Sequence, residues 1–262
     1  LAKENQMDID LEGFNAHLQD QKNRSRNAGA IETDDWVLLG KDSISEFIGY
    51  DHIEAEISIV KYRKVIQKGK KIFQLVFDKT PFYPEGGGQV GDSGWIQSGE
   101  NKTSIFDTKK ENNLIVHFVS ELPQTLDAHF NASINIEKRL NTARNHSATH
   151  LLHHALRSVL GTHVEQKGSL VNSKQLRFDF SHFSKVSDDQ LNEIESIVIS
   201  TIEKNIELNE KRNIPIAEAK KMGAMDLFGE KYGESVRVIQ FENSVELCGG
   251  IHINSTTDIG LF

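Results

Sequence analysis

Apolar and polar positions along the 262-residue chain fall into three regimes. In residues 1–30 polar side chains dominate, while Leu11, Phe14 and Leu18 recur at spacings of three and four. That predicts a short amphipathic helix at most. The polar, cationic run at 21–27 reads as an exposed helix end or linker, a tether to whatever precedes it. From about residue 45 to 136 the pattern changes to short alternating or apolar runs, such as 55–60, 73–77 and 114–119, between Gly- and Asn-rich breaks. Many short strands at this spacing predict a small barrel or sandwich.

After Ile136 the apolar period becomes helical. Leu140, Ala143, Leu151, Leu152, Ala155, Leu156, Val159 and Leu160 line one helix, and Gly161 is placed to end it. Ser187 followed by Gln190 is a capping-box start for a second, with Val186 as staple and Leu191, Ile194, Val198, Ile202 and Ile206 as its buried stripe. Residues 169–171, 175–180 and 236–241 read as strands. Helices and strands do not alternate regularly, so the predicted class is α+β rather than a doubly wound sheet. Three regions follow: a helical lead-in over 1–40, a β-barrel subdomain over 41–136 and an α/β core over 137–262.

Composition narrows the function classes. The chain carries 30 Lys and Arg against 38 Asp and Glu, a net charge of −8, and a 37% apolar fraction ample for a core. One cysteine excludes an intrachain disulfide framework and fits a reducing compartment. No apolar run approaches the ~20 residues of a membrane span and no secretory signal opens the chain, so the expectation is cytoplasmic with no membrane partner. A start at Leu1 and a stop on the apolar segment Ile259-Gly260-Leu261-Phe262 suggest a piece of a longer polypeptide. The charge is uneven: residues 138–177 hold seven bases and one acid, and five of the eleven histidines. This basic island fits contact with a polyanion, or equally a helix with ordinary solvated Arg and Lys.

The candidate chemistry lies in that island and near the end of the chain. His146 and His150 sit four apart, on one face of the predicted helix and one turn from each other. That spacing suits two ligands of a tetrahedral zinc ion, and also a surface pair or a satisfied core pair. Cys248-Gly249-Gly250-Ile251-His252 places the lone thiol four residues before another imidazole, across a turn tight enough for both to converge. Alone, Cys248 reads as a small buried thiol. Together the two motifs offer three nitrogens and a thiolate, which favours a bound Zn2+. A zinc-protease helix carries Glu directly after its first histidine as general base; this chain has Ser147 there, and no acid between Lys138 and Gly161. Metalloprotease chemistry is therefore disfavoured. Gln166, in a polar loop, is either a pocket hydrogen-bonding group or an exposed turn residue. The glycine-rich stretch at 80–94 lacks the Lys-Ser/Thr ending of a P-loop and precedes no helix, so its glycines serve a close backbone approach or a barrel corner.

The stretches Arg144-Asn145-His146-Ser147-Ala148-Thr149-His150, Gln166-Lys167-Gly168-Ser169-Leu170-Val171, Leu176-Arg177-Phe178-Asp179-Phe180 and Cys248-Gly249-Gly250-Ile251-His252, occurring in that order, resemble the editing domain of bacterial alanyl-tRNA synthetases. The glycine-rich stretch is similar to the motif of that family's barrel subdomain, and the likeness runs from about Asp35 to the end of the chain. The resemblance implies a small β-barrel before an α/β editing core that hydrolyses serine or glycine wrongly esterified to tRNA(Ala). By position it makes His146, His150, Cys248 and His252 the metal ligands and Gln166 a pocket residue important for editing. Gly86, Gly87 and Gly88 fall in the motif near the active site, and Arg144, Lys167 and Arg177 are candidates for phosphate contacts at the tRNA acceptor end. The family usually has Thr where this chain has Ile251, which removes a hydroxyl near the site. The resemblance implies that the family's aminoacylation site and C-terminal dimerisation region are not among these 262 residues, so the expectation is editing without charging. Related readings are the editing domain of threonyl-tRNA synthetases, a free-standing trans-editing protein, and a non-catalytic zinc-stabilised tRNA-binding module.

Overall fold

The computed structural model describes residues 10–28, 31–40, 45–67, 69–225 and 233–262. Its first element, α1 (Leu11–Ala28), is longer than the apolar spacing predicts, and Leu11 and Phe14 remain more than half exposed. Ten strands follow: β1 (Ile31–Thr33), β2 (Val37–Leu38), β3 (Glu46–Phe47), β4 (Glu54–Gln67), β5 (Lys70–Phe77), β6 (Lys79–Thr80), β7 (Gly94–Ser98), β8 (Asn101–Glu111), β9 (Leu114–Val119) and β10 (His129–Ile134). Antiparallel pairing runs β4–β10–β7–β8–β9–β5, and β5 returns to β4. Bulges at Ile59/Lys61 and Ile105/Asp107 supply local bend and twist. β1 and β2 add to β4, so the sheet begins inside the segment whose pattern predicts a lead-in.

The alternation along these strands sends one face inward. Ile57, Leu75, Phe77, Phe82, Ile96, Ile105, Val119 and Phe130 form a buried cluster. His117 lies fully buried beside it, stacked on Phe77 with ring centroids 3.9 Å apart. Its Nδ1–H donates to the Leu75 carbonyl (3.1 Å), and Nε2 accepts from Thr80 Oγ1 (2.8 Å). A neutral ring is thus satisfied on both sides, and burial pushes its pKa from 6.5 down to about 3.

The second half of the chain is built on α2 (Ile136–Leu160). Asn135 caps its start by accepting from Lys138 N, and Gly161, at φ 112°, ends it. A hairpin, β11 (Gln166–Val171) and β12 (Leu176–Phe180), precedes α3 (Asp188–Glu203), whose Ser187–Gln190 capping box forms as the sequence predicts. Next come β13 (Asn209–Pro215), the short α4 (Ile216–Lys221), β14 (Ser235–Phe241) and β15 (Ser244–Leu247), the three strands making one antiparallel sheet. Leu151, Ala155, Leu156, Val198, Ile202, Ile239 and Phe241 pack between the two helices and this sheet. Two expected core positions differ: Leu140 is about half exposed because the buried face of α2 is given to Arg139, His146, His150 and His153 instead, and Leu191, in the first turn of α3, is also about half exposed.

Two of those polar residues, Arg139 and His146, bond the first half of the chain. Arg139, 5% exposed, bonds the equally buried Asp92 carboxylate and the carbonyls of Gly49 (2.8 Å) and Pro81 (2.7 Å). Loop 86–90 pairs with β11, Val171 N donating to Gly88 O (2.8 Å) and Val90 N to Val171 O (3.0 Å).

Candidate metal centre

The first half-site is dictated by helix geometry. His146 and His150 project from one face of α2, both buried, with ring centroids 5.3 Å apart. The second half-site leaves β15 at Leu247 and turns through the two glycines. Gly250 N donates within the turn to Cys248 Sγ (3.3 Å), and other backbone groups of the turn are held from outside it. Arg237 donates to the carbonyls of Cys248 (3.0 Å) and Gly250 (2.6 Å), Tyr50 Oη donates to Gly249 O (2.7 Å), and Ile251 N donates to Gln89 Oε1 (2.9 Å). A Cβ at Gly250 would stand 2.0 Å from His146 Cε1, so only glycine lets the turn close on the helix.

The result is a cluster in which one donor atom from each of His146, His150, Cys248 and His252 lies within 4.8 Å of the others. Cys248 Sγ is 3.5 Å from His146 Nε2 and 3.3 Å from His252 Nε2. Ligands at about 2.3 Å (sulfur) and 2.0–2.1 Å (nitrogen) in a tetrahedron are separated by about 3.5 Å, so these spacings suit a shared ion. Among the described residues, neither ring nitrogen of the buried His150 has a hydrogen-bond partner, which suits a metal ligand. Burial, and then the neighbouring imidazoles, hold His146 and His252 well below the ordinary histidine range; burial also lowers His150. Neutral rings keep the lone pairs that ligation needs. The four residues fit a metal ion, and imidazole plus thiolate is a donor set for Zn or another borderline-soft metal.

A second layer orients them. Ser147, where a zinc protease would carry its glutamate, has Oγ 3.0 Å from His252 Nδ1 and accepts from Ile253 N (3.3 Å). Glu246, 1% exposed, lies with one oxygen 3.3 Å from His150 Nε2 and the other 2.9 Å from His153 Nδ1. Gln89 Oε1 is 2.7 Å from His146 Nδ1. Sequence reasoning missed Gln89, Glu246, Arg237 and Tyr50 as parts of the site. Only Gln89 carried a signal, its position inside the glycine-rich stretch.

The other expected site residues surround the cluster differently. Gly86, Gly87 and Gly88 line an open cleft with Lys109, Lys110 and Ser169, and the neighbouring Gln89 links this loop to the cluster. Gln166 opens β11, half-buried opposite Phe180, and its side chain makes no hydrogen bond among the described residues. Lys167 pairs with Glu165 (2.8 Å) and Arg177 with Asp179 (3.1 Å). Arg144 donates to Asp258 O and Asn141 Oδ1, each at 2.8 Å. No helix among the described residues is long and apolar enough to cross a membrane.

Two family models match parts of this chain. Residues 1–140 match tRNA synthetases class II (A), and residues 236–262, which hold Cys248 and His252, match the threonyl and alanyl tRNA synthetase second additional domain. The chain belongs to the class II (A) tRNA synthetase family. Within it the similarity is to alanine–tRNA ligases. The one from Parabacteroides distasonis is 56% identical over 260 residues, which is 99% of this chain and 30% of that protein. Those from Cytophaga hutchinsonii (53%) and Bacteroides thetaiotaomicron (54%) match over 100% of this chain and 30% of their own length. The chain thus spans about 30% of the length of these relatives.

Proposed function

We propose that this chain is the proofreading part of an alanyl-tRNA synthetase, hydrolysing the ester of Ser-tRNA(Ala) and Gly-tRNA(Ala). The observation that carries this reading is the convergence of four donor atoms within 4.8 Å from two motifs about a hundred residues apart. In this reading His146, His150, Cys248 and His252 hold Zn2+, the closed strand circuit is a small barrel spanning 41–136, and 137–262 is the editing core behind a lead-in at 1–40. The partners are the acceptor end of tRNA(Ala) and the remaining domains of the synthetase, in the cytoplasm.

The need for a second site follows from binding energetics. A pocket for alanine rejects glycine or serine by only about 10–200-fold, so discrimination requires a separate hydrolytic step. Gln166 is assigned to the substrate pocket, and a hydrogen bond to the serine hydroxyl is what alanine lacks. A bound zinc ion would supply Lewis acidity, lowering the pKa of a ligated water towards about 7 or polarising a carbonyl. Four protein ligands also suit an orienting role. With no acid on the metal face of α2 between Lys138 and Gly161, proton acceptance falls to another segment or to the terminal ribose hydroxyl. Arg144, Lys167 and Arg177 are assigned to phosphates, with Gly86, Gly87 and Gly88 beside the entrance. The test is deacylation of Ser-tRNA(Ala), Gly-tRNA(Ala) and Ala-tRNA(Ala), with and without chelator. Chelator-sensitive hydrolysis of the first two, sparing the third, is expected. Equal rates on Ser-tRNA(Ala) and Ala-tRNA(Ala) would refute proofreading, and faster action on Ser-tRNA(Thr) would move the assignment to the threonyl family.

A further inference from the structure

We propose that Gln89 is a positioning residue for the metal centre, one whose single carbonyl oxygen fixes the tautomer of His146 and the path of the Cys248–His252 turn together. The proposal rests on reading the cluster as a zinc site and concerns how that site is held. Gln89 is 1% exposed. The orientation of its amide is decided by chemistry: Ile251 N–H can only donate, so the atom 2.9 Å from it is the oxygen. The same oxygen lies 2.7 Å from His146 Nδ1, which must therefore carry the ring proton. In a neutral imidazole that leaves the lone pair on Nε2, the atom facing Cys248 Sγ. Without the acceptor, the opposite tautomer becomes available, and its Nε2–H blocks ligation.

The glycine-rich loop then has a physical purpose. Gly86 and Gln89 exchange both backbone bonds at 3.0 Å, closing a tight loop with Gly87 at φ 58° and Gly88 at φ 82°. Side chains other than glycine seldom take these angles, and a Cβ at Gly88 would lie 2.8 Å from that of Ser169. The loop is thereby pressed against β11 and Gln89 is aimed at the helix. Local stability alone does not account for this residue: among the described residues its buried Nε2 has no hydrogen-bond partner, an arrangement that opposes folding.

That unmet donor makes a discriminating test possible. Gln89→Met removes the orphaned amide together with the acceptor but leaves Ile251 N–H unmet, so the metal-free protein should lose some stability and still fold. Its Zn2+ affinity, measured by competition with a chromophoric chelator, should fall about 10–100-fold, as for loss of an outer-shell partner. Gln89→Glu keeps an acceptor oxygen and should stay within roughly threefold of wild type. A folded Gln89→Met variant with wild-type zinc affinity would overturn the proposal. Should that variant not fold, 15N shifts of His146 in the metal-free wild type decide: Nδ1–H supports the inference and Nε2–H sinks it. Absence of any zinc binding by wild type would count against the metal reading, while the tautomer measurement would still judge Gln89.

Discussion

Replacing Gly250 with alanine is the sharpest challenge to the way the two half-sites meet. The added Cβ would stand 2.0 Å from His146 Cε1, 2.4 Å from Nδ1 and 2.9 Å from Gln89 Oε1. Ordinary carbon contacts are about 3.5–4.0 Å, so the ring must retreat by roughly 1.5 Å. His146 is 4% exposed on a packed helix, and such overpacking costs about 1–3 kcal/mol. A metal-free protein can absorb the clash by turning the ring aside. A metal-bound one cannot, because ligand distances tolerate only about 0.2 Å. Zinc affinity should therefore fall by about 100-fold or more, equivalent to roughly 2.8 kcal/mol, with a smaller change in metal-free stability. Gly249→Ala is the control: its new methyl would meet nothing nearer than Tyr50 Oη at 3.9 Å, so affinity should hold. Chelator competition on both variants, with urea melts of the metal-free forms, measures each quantity. If folded Gly250→Ala binds zinc as tightly as Gly249→Ala, the proposed apposition of turn and helix is wrong.

Three further outcomes follow from other parts of the structure. His117, with its folded pKa lowered to about 3, favours folding most above the unfolded value near 6.5, and that contribution is lost as pH falls from 6.5 towards 3. The loss amounts to about 5 kcal/mol at about 1.4 kcal/mol per pH unit, and His117→Gln should flatten this limb in urea melts taken across the range. Arg139→Met should destabilise by about 3–5 kcal/mol by leaving the Asp92 carboxylate buried without its cation. Adding Asp92→Asn should recover part of that, and a double-mutant cycle showing simple additivity would contradict the pairing. Neutralising Lys167 and Arg177, whose partners are exposed carboxylates, should leave thermal stability unchanged while lowering the slope of log affinity for tRNA against log salt by about one per charge.

What could be read from sequence divides along physical lines. The His146/His150 pair was legible because helical period and ligand spacing coincide, and Cys248 with His252 because two glycines between donors leave few other readings. α2 and α3 were legible from caps and stripe, and both the Gly161 stop and the Ser187 box form. β8 was not foreseen, since Asn101–Glu111 is polar along most of its length and buries only Ile105 and Thr108. Its strand character comes from being paired on both edges, a long-range property with no local signature. The exposure of Leu140 has the converse cause. Polar residues took the inward face of α2, with Arg139, His146 and His153 bonded by partners distant in sequence, and periodicity treats every polar position as outward.

The same reasoning explains why ligands and their supports are so unevenly visible. A ligand announces itself through residue type, whereas a support is an ordinary Gln, Tyr or Arg whose meaning depends on where the fold delivers it. Here two of those supports, Tyr50 and Gln89, come from the strand-rich first half and grip a turn near the chain's end. Metal affinity is therefore coupled to the seam clamped by Arg139 and Asp92. By linkage, an ion that binds only the docked form stabilises that form, by about 2.7 kcal/mol at a hundred times its Kd. Weakening the seam should then lower zinc affinity even though no ligand is touched. With Tyr50 and Gln89 on one half and the four candidate ligands on the other, metal binding is expected to be full only when both halves are correctly seated.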